Sequence, residues 1–561
     1  MTSSVPKLSY SSCPMNEPFI YQSLPDRVRM LAEEAPAREA FVFYNIEEKR
    51  QALTRKEVLD KTVHLAKILV HLGLEKGNKV AFYMNNSLEM LVCNMAVVTA
   101  GGIPFFLSSN VKDGSDIITT IRHMEGEFMF IDANEGDENW LIMNTLCPSG
   151  NKSPEDVPSL KSIIFNGRAD SSYKGRIALE SLNSMPLSEK IELPVVLPED
   201  ILLYFCTSGS TGQPKEVTIT HYSLFNWTKQ ANKGFGITNQ SRFFNERSFS
   251  WIFGYPRTYL TEGATRICVD PRISVSGRHV NFLCDVIEKE QCDVIYLPAY
   301  MNADLKSRLD LKSKFKSVTT QIWGGERLSK QNITGLKGVF SRRICSFYGT
   351  TEAGGVSLFA SDDIEDYEDG IIGKPLNGVE MKIVDSSGKT VPIDHQGEIC
   401  TRVTWRFDGY RKMPEMFAEV VDNQGWFHTS DYGRMRKDGN YVVEGRMKEV
   451  ISSSGYDFFP WTIENILKRM PNATHVIAVG VPDDRLSQVV CACVVPKEGH
   501  LITDSDVQKF CDDQFISDIS VKGISSKPRY VMVLDHLPLT STGKIDRRTV
   551  TSVAMTRFGI Q

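Results

Sequence analysis

A chain of 561 residues is longer than one compact unit, so two or three domains are expected, with enough apolar residues (41%, against 24% charged) for a sizeable core. A net charge of −5 excludes the basic footprint of a nucleic-acid or anionic-membrane binder, and the composition excludes a disordered or fibrous chain. Twelve cysteines show neither CxxC pairs nor metal-ligand spacing, which points to a reducing compartment.

At the N-terminus, MTSSVPKLSYSSCPMNEP has no apolar core of signal-peptide length, and a single basic residue precedes Arg27. The cytoplasm is therefore the expected location, with mitochondrial entry left open. From Leu53, LTRKEVLDKTVHLAKILVHLGL has the period of an amphipathic helix and KVAFYM that of a strand. MLVCNMAVVTAGGIPFFL, broken by Asn94, Gly101, Gly102 and Pro104, reads as a buried helix followed by a strand and not as a membrane span. This alternation is α/β layering. A polar stretch from Pro148 to Pro158 reads as a surface loop; strands resume at SIIF and at ILLYF. The acidic run DDIEDYED from Asp362 reads as a solvated loop. After Gly439 the elements shorten. WTIENILKRM and DVQKFCDDQF have helix period, HVIAVGV and VVCACVVP strand period, and together they suggest a small α+β domain of roughly 110 residues. No solenoid repeat is visible.

The chemistry-bearing stretch follows ILLYF: YFCTSGSTGQPKEV holds Thr207, Ser208, Ser210 and Thr211 with Gly209, Gly212 and Lys215. A strand feeding a loop of glycines and hydroxyls turns amides and hydroxyls toward phosphate oxygens. The familiar nucleoside-triphosphate loop is excluded, because Gln213 and Pro214 separate Gly212 from Lys215. Alone, such a turn is more often an ordinary loop. Four further segments decide: SFYGTTEAGG from Ser346, GWFHTSD ending at Asp431, EGRMKEVISSSGYDFFPWTIE containing Arg446, and LPLTSTGKIDRR containing Lys544.

In this order the five segments resemble the adenylate-forming superfamily of acyl-coenzyme A synthetases, luciferases and peptide-synthetase adenylation domains. GLEKGNKVAFYMNNSLEM extends the likeness upstream, and the ends VGVPDDRLSQVVCACVVPKEG and KPRYVMVLDHLPLTSTGKIDRR are most similar to medium-chain and fatty-acyl-coenzyme A synthetases. The resemblance implies an α/β fold with a large multi-layer N-terminal domain of stacked sheets (1–447) and a small mobile α+β lid (448–561). It also implies ATP, Mg²⁺ and coenzyme A as ligands, with a small carboxylic acid, medium or long and fatty, as substrate. Thr207, Ser208, Gly209, Ser210, Thr211, Gly212 and Lys215 would wrap the β- and γ-phosphates. Thr351 would touch the α-phosphate, and Glu352 would hold magnesium among oxygens. Tyr348, with Gly349 and Thr350 beside it, would stack on adenine opposite the turn of Gly324, Gly325 and Glu326. Asp431 would accept both ribose hydroxyls and Arg446 would add ribose or phosphate contacts. Lys544 would offset the repulsion between carboxylate and α-phosphate. Lys448 would be the hinge about which the lid turns, Gly455 would line the thiol tunnel, and Trp251 and Gly354 would border the acid pocket. The cleft between the lobes would be the active site.

Four residues depart from the family pattern. Glu216 stands where glycine is usual and must point away from the triphosphate or pair with a cation; at ~4 Å the repulsion would be up to about 4 kcal/mol. Ser430 replaces the glycine before Asp431, and Ser452 occupies a site often held by lysine. Trp251 takes the place of a common histidine, either reshaping the acid pocket or packing in the core. Two other readings therefore stand beside acid–coenzyme A ligation: a binder of nucleotide or acyl-adenylate without turnover, and an adenylating enzyme that passes its acyl group to a carrier protein, amine or oxygen.

Overall fold

Thr54 and Glu57 stand three apart ahead of an apolar stripe, the spacing of a reciprocal helix cap. In the computed structural model that box is closed. Thr54 Oγ1 accepts the Glu57 amide at 3.2 Å and Glu57 Oε2 accepts the Thr54 amide at 2.8 Å, at the head of the helix Arg55–His71. The structure describes residues 7–107, 114–146, 157–168, 176–187, 190–207, 215–274, 279–297, 299–306, 308–325, 330–340, 342–405, 407–453, 456–515, 525–539 and 545–560.

The chain divides into a larger unit, Ser11–Met381 with Thr401–Phe427, and a smaller one, Met1–Tyr10 with Lys382–Cys400 and His428–Gln561. The α/β class and the large-plus-small organisation expected from the sequence are both present. A boundary at 447/448 remains a proposal.

Two sheets build the larger unit. One runs in the order Lys215–Thr220, Ile201–Thr207, Ile103–Phe106, Lys79–Tyr83, Gly126–Asp132, Ser162–Asn166, Arg176–Ala178. Its neighbours are parallel except for the first pair, a hairpin with Lys215 opposite Thr207. The other places Glu39–Tyr44, Thr265–Val269, Arg242–Asn245, Val294–Tyr296, Thr320–Gly324 and Arg343–Thr350 in parallel, followed by the antiparallel Gly354–Ser361. Strands covered on both faces read as continuous apolar runs, which is why KVAFY, IPFF and EAFVFY lack alternation. The Met90 stretch forms the helix Leu88–Thr99, buried nearly all round, and the strand Ile103–Phe106. The Pro148–Pro158 loop lies almost wholly outside the described residues.

In the smaller unit, Ala473–Asp483 and Ser487–Pro496 pair antiparallel, and Tyr530–Val533 joins the second in parallel. Strand alternation sorts their side chains. Ala478, Val490, Ala492 and Val494 pack with Ile463, Leu467, Val507 and Cys511 of two helices; Ile477, Val479, Cys491 and Cys493 pack with Val550 and Ala554 of a third. Cys491 and Cys493 are thus small core residues, and the ten cysteines whose side chains are described form no disulfide. Among the described residues no helix is long and apolar enough to cross a membrane.

Candidate active site

Ser208 to Gly212 lie outside the described residues, but both ends of their loop are fixed. Thr207 ends one strand, Lys215 begins its antiparallel partner, and the two are in register. Successive strand residues point to opposite faces, and here that separates two charges. Lys215 Nζ stands 5.0 Å from the centroid of the Tyr410 ring. Glu216, 2% exposed, turns the other way and pairs through Oε1 with His123 Nε2 at 3.0 Å. The carboxylate that departs from the family pattern therefore has a partner on the face away from Lys215.

Tyr410 arrives by an irregular pairing. The segment around it lies along the Lys215–Thr220 strand through a Val217–Tyr410 bridge, with the Arg411 amide donating to Glu216 O at 2.9 Å. The Tyr410 hydroxyl donates to Glu352 Oε1 at 3.0 Å. Burial, reinforced by the Glu352 charge, pushes this phenol well above its ordinary pKa, so it remains a donor.

Glu352 sits at the tip of a hairpin whose strands are Arg343–Thr350 and Gly354–Ser361, joined by Thr351, Glu352 and Ala353. Three features hold the tip. Thr350 Oγ1 accepts the Ala353 amide at 3.0 Å, the buried Trp405 Nε1 donates to Ala353 O at 2.7 Å, and Gly354 takes φ +70°. A Cβ on Gly354 would stand 2.6 Å from the Trp227 ring, and one on Gly349 would stand 2.3 Å from Gly354 O, so both glycines are set by close approach. Thr351 and Glu352 are half-buried at this tip. Among the described residues no cation forms an ion pair with Glu352, which leaves a hard anionic oxygen set suited to magnesium.

Beside the hairpin, Gly324 pairs with Phe347, so Gly325 and Tyr348 emerge from neighbouring parallel strands at their C-terminal ends. This is the place where open α/β sheets hold ligands. Gly325 takes φ +83°, and Gly324 O accepts the Tyr296 hydroxyl at 2.8 Å. Trp251 is 36% exposed, and a Cβ on Gly325 would meet its ring at 3.5 Å. Trp251 therefore borders this strand-end region and is not buried core. Glu326 lies outside the described residues.

In the smaller unit, Asp431 and Arg446 face each other across paired strands, with Arg446 Nε donating to Asp431 Oδ1 at 2.9 Å. Asp431 is buried and Arg446 half-exposed. Ser430 takes φ +58° in the middle of its strand, the left-handed region that costs an L-residue about 1–2 kcal/mol. Its amide donates to Glu398 Oε1 at 2.9 Å, while Glu398 Oε2 meets His428 Nδ1 at 2.8 Å. Glu398, Cys400 and His428 gather metal-type donor atoms within 4.8 Å. Because the His428 nitrogen is already hydrogen-bonded to the carboxylate, the trio acts as a brace for Ser430 and hence for Asp431.

Lys448 is exposed in the short turn Met447–Glu449, and the Ser452 amide donates to Gln488 Oε1 at 2.9 Å. Gly455 and Lys544 lie outside the described residues. The segment carrying Lys544 is anchored at both ends. Leu539 bridges Ile545, Asp546 caps the helix Arg547–Phe558, and Arg547 donates to Glu464 Oε1 at 2.8 Å and Ala478 O at 2.8 Å.

A family model described as AMP-binding enzyme matches residues 28–411, and one described as AMP-binding enzyme C-terminal domain matches residues 462–544. The chain belongs to the AMP-binding enzyme family. It is an enzyme of the adenylate-forming superfamily, an AMP-forming ligase. This AMP-binding enzyme is 23% identical to the medium-chain acyl-CoA ligase ACSF2, mitochondrial, of Rattus norvegicus, over 96% of this chain and 89% of that one. Its fold matches ATP-bound MatB from Rhodopseudomonas palustris at a TM-score of 0.77, with 21% identity and 95% and 99% of the two chains covered. It also matches O-succinylbenzoate coenzyme A synthetase (MenE) from Bacillus subtilis, in complex with ATP and magnesium ion, at 0.75, with 20% identity and 93% and 98% covered.

The sequence motifs of this AMP-binding enzyme locate Glu352, Asp431 and Arg446 but not their supports. Tyr410, Trp405 and Glu398 stand outside every motif, and only His428, inside GWFHTSD, carried a signal.

Proposed function

We propose that the protein joins a medium or long fatty acid to coenzyme A at the expense of ATP. The observation that carries this reading is the tip carboxylate Glu352, held by the neutral Tyr410 hydroxyl with Lys215 over the same ring. An anionic oxygen set for a divalent cation and an ammonium for phosphate are thereby brought to one tyrosine. The acyl-CoA ligase relative, matched over nearly its whole length, supports thioester formation. Its designation as mitochondrial supports that organelle as the alternative to the cytoplasm.

In the first half-reaction a carboxylate oxygen bonds to the α-phosphorus of ATP and pyrophosphate leaves. In the second, coenzyme A sulfur bonds to the acyl carbon and AMP leaves. Both steps bring negative groups together, so positioned cations and donors supply the acceleration. Lys215, with Thr207 to Gly212, holds the β- and γ-phosphates and the departing pyrophosphate. Thr351 touches the α-phosphate, and Glu352 would hold Mg²⁺, which neutralises phosphate charge when bound. Tyr348, flanked by Gly349 and Thr350, stacks on adenine beside the turn of Gly324, Gly325 and Glu326. Asp431 accepts the ribose hydroxyls, fixed by Arg446. Lys544 bridges the incoming carboxylate and the α-phosphate; Lys448 serves as hinge and Gly455 lines the thiol path.

The test is pyrophosphate release across a panel of acids, with and without coenzyme A. Release that requires an acid, with thioester formed only when coenzyme A is present, is the expected result; release with no acid would sink the reading. Lys544→Ala is expected to lower acyl-adenylate formation by ~10²- to 10³-fold while sparing thioester formation from supplied acyl-adenylate. Equal loss of both half-reactions would refute the role given to Lys544.

A further inference from the structure

The larger unit buries several arginines and provides carbonyl acceptors for most of them. Arg27 donates through Nε to Leu260 O at 2.7 Å, and Arg55 donates through Nη2 to Gly263 O at 2.8 Å. Arg257, the first residue of the helix Arg257–Glu262, is treated differently. It is 1% exposed, and Nε, Nη1 and Nη2 have no acceptor among the described residues. Its guanidinium lies 4.6 Å from the centroid of Trp227 and 4.3 Å from that of Phe253, a stack that covers the faces of the fork and leaves its donor edge unanswered. Arg266, also buried, has the Cys268 thiol as a neighbour and adds charge of the same sign near Arg257. Burial, with Arg266 adding to it, lowers Arg257 to about 9, which still leaves it a cation at neutral pH. A buried cation without its partner is destabilising, and groups perturbed by burial and neighbouring charge cluster at functional sites.

The stack lies where the acid is expected. Trp227 is the ring that a Cβ on Gly354 would strike, and Phe253 stands 6.0 Å from Trp251, centroid to centroid. Gly354 and Trp251 are the two residues that the sequence assigns to the acid pocket. We propose that the acid bears a second carboxylate at its far end and that Arg257 receives it through its planar fork. This rests on the acid–coenzyme A ligase reading and narrows its substrate to an ω-carboxy fatty acid. The two ends of the substrate then have different fates: one carboxylate is adenylated and the other is only bound.

The experiment compares straight-chain α,ω-dicarboxylic acids with monocarboxylic acids of the same carbon number, by pyrophosphate release, in the unaltered protein and in Arg257→Met. The expected result is a preference for the diacid of at least ~10²-fold in kcat/KM, because a site built around a charged donor rejects the analogue lacking its partner. Arg257→Met should bring that ratio near unity by lowering kcat/KM for the diacid, and raise the melting temperature of the ligand-free protein, since an unanswered charge has been removed. Activation of monoacids alone, with the ratio untouched by Arg257→Met, overturns the inference and leaves the ligase reading standing. A fall in melting temperature with unaltered acid preference also overturns it, by making Arg257 a core residue. If no acid supports pyrophosphate release, the ligase reading fails, and calorimetric titration with the diacid decides the rest: binding lost in Arg257→Met supports the anion site, and equal or absent binding overturns it. Should Arg257→Met not fold, Arg257→Lys takes its place; a weakened diacid preference supports the proposal and an unchanged one overturns it.

Discussion

Glu352 in the larger unit and Asp431 in the smaller are both acceptor-only groups, yet the fold surrounds them in opposite ways. Glu352 is met by a neutral phenol, Tyr410, and keeps its charge uncancelled. Asp431 is buried against the guanidinium of Arg446, which offsets its charge and fixes its orientation. A carboxylate that must bind a divalent cation has to stay anionic, and one that must accept ribose hydroxyls needs orientation more than charge. Under the proposed function, these surroundings suit Glu352 to a divalent cation and Asp431 to a sugar.

This contrast is open to direct attack. The largest effect is expected from Glu352→Gln, which removes charge at the metal: kcat in pyrophosphate release should fall by ~10²- to 10³-fold, with a raised magnesium requirement in a metal titration. Asp431→Asn should act through KM for ATP, lowering kcat/KM by roughly 10- to 100-fold, the equivalent of ~1.5–3 kcal/mol for a hydrogen bond to a charged group, with kcat changed far less. Equal kcat losses from the two substitutions, or a magnesium effect from Asp431→Asn, would erase the distinction. The smallest effect sharpens it. Ser430→Gly relieves the left-handed serine beside Asp431 and should stabilise the protein by about 1 kcal/mol in denaturant titration, with KM for ATP unchanged or lower. Destabilisation would show that the serine side chain contributes more than its backbone conformation costs.

Most of the architecture was legible because each element announced itself locally. Helix period marked the stretch from Leu53, and strand period marked KVAFYM, HVIAVGV and VVCACVVP. The site was legible only as motifs. Tyr410 reaches Glu352 from 58 positions along the chain, and Trp405 reaches Ala353 from 52, through an isolated bridge and a buried indole that have no sequence period. Glu398 braces Ser430 across strands in the same unannounced way. Arg257 was invisible for a different reason, since an arginine in RSFSWIFGYPRTYL looks like any surface cation until its acceptors are found to be missing. Of the departures, Glu216 turns to the face opposite Lys215 and meets His123, a partner that no motif announced.

That adjacency of Lys215 and Glu216 constrains how the loop before them can be re-engineered. The two charges are kept apart by nothing more than the two-residue repeat of a strand. A variant of residues 208–214 that slipped the hairpin by a single position would offer the glutamate to Tyr410 and the lysine to His123, reversing the sign of the surface seen by a polyphosphate. Libraries at residues 208–214 should therefore vary chemistry at fixed length, since a change of frame would set Glu216 where Lys215 now stands.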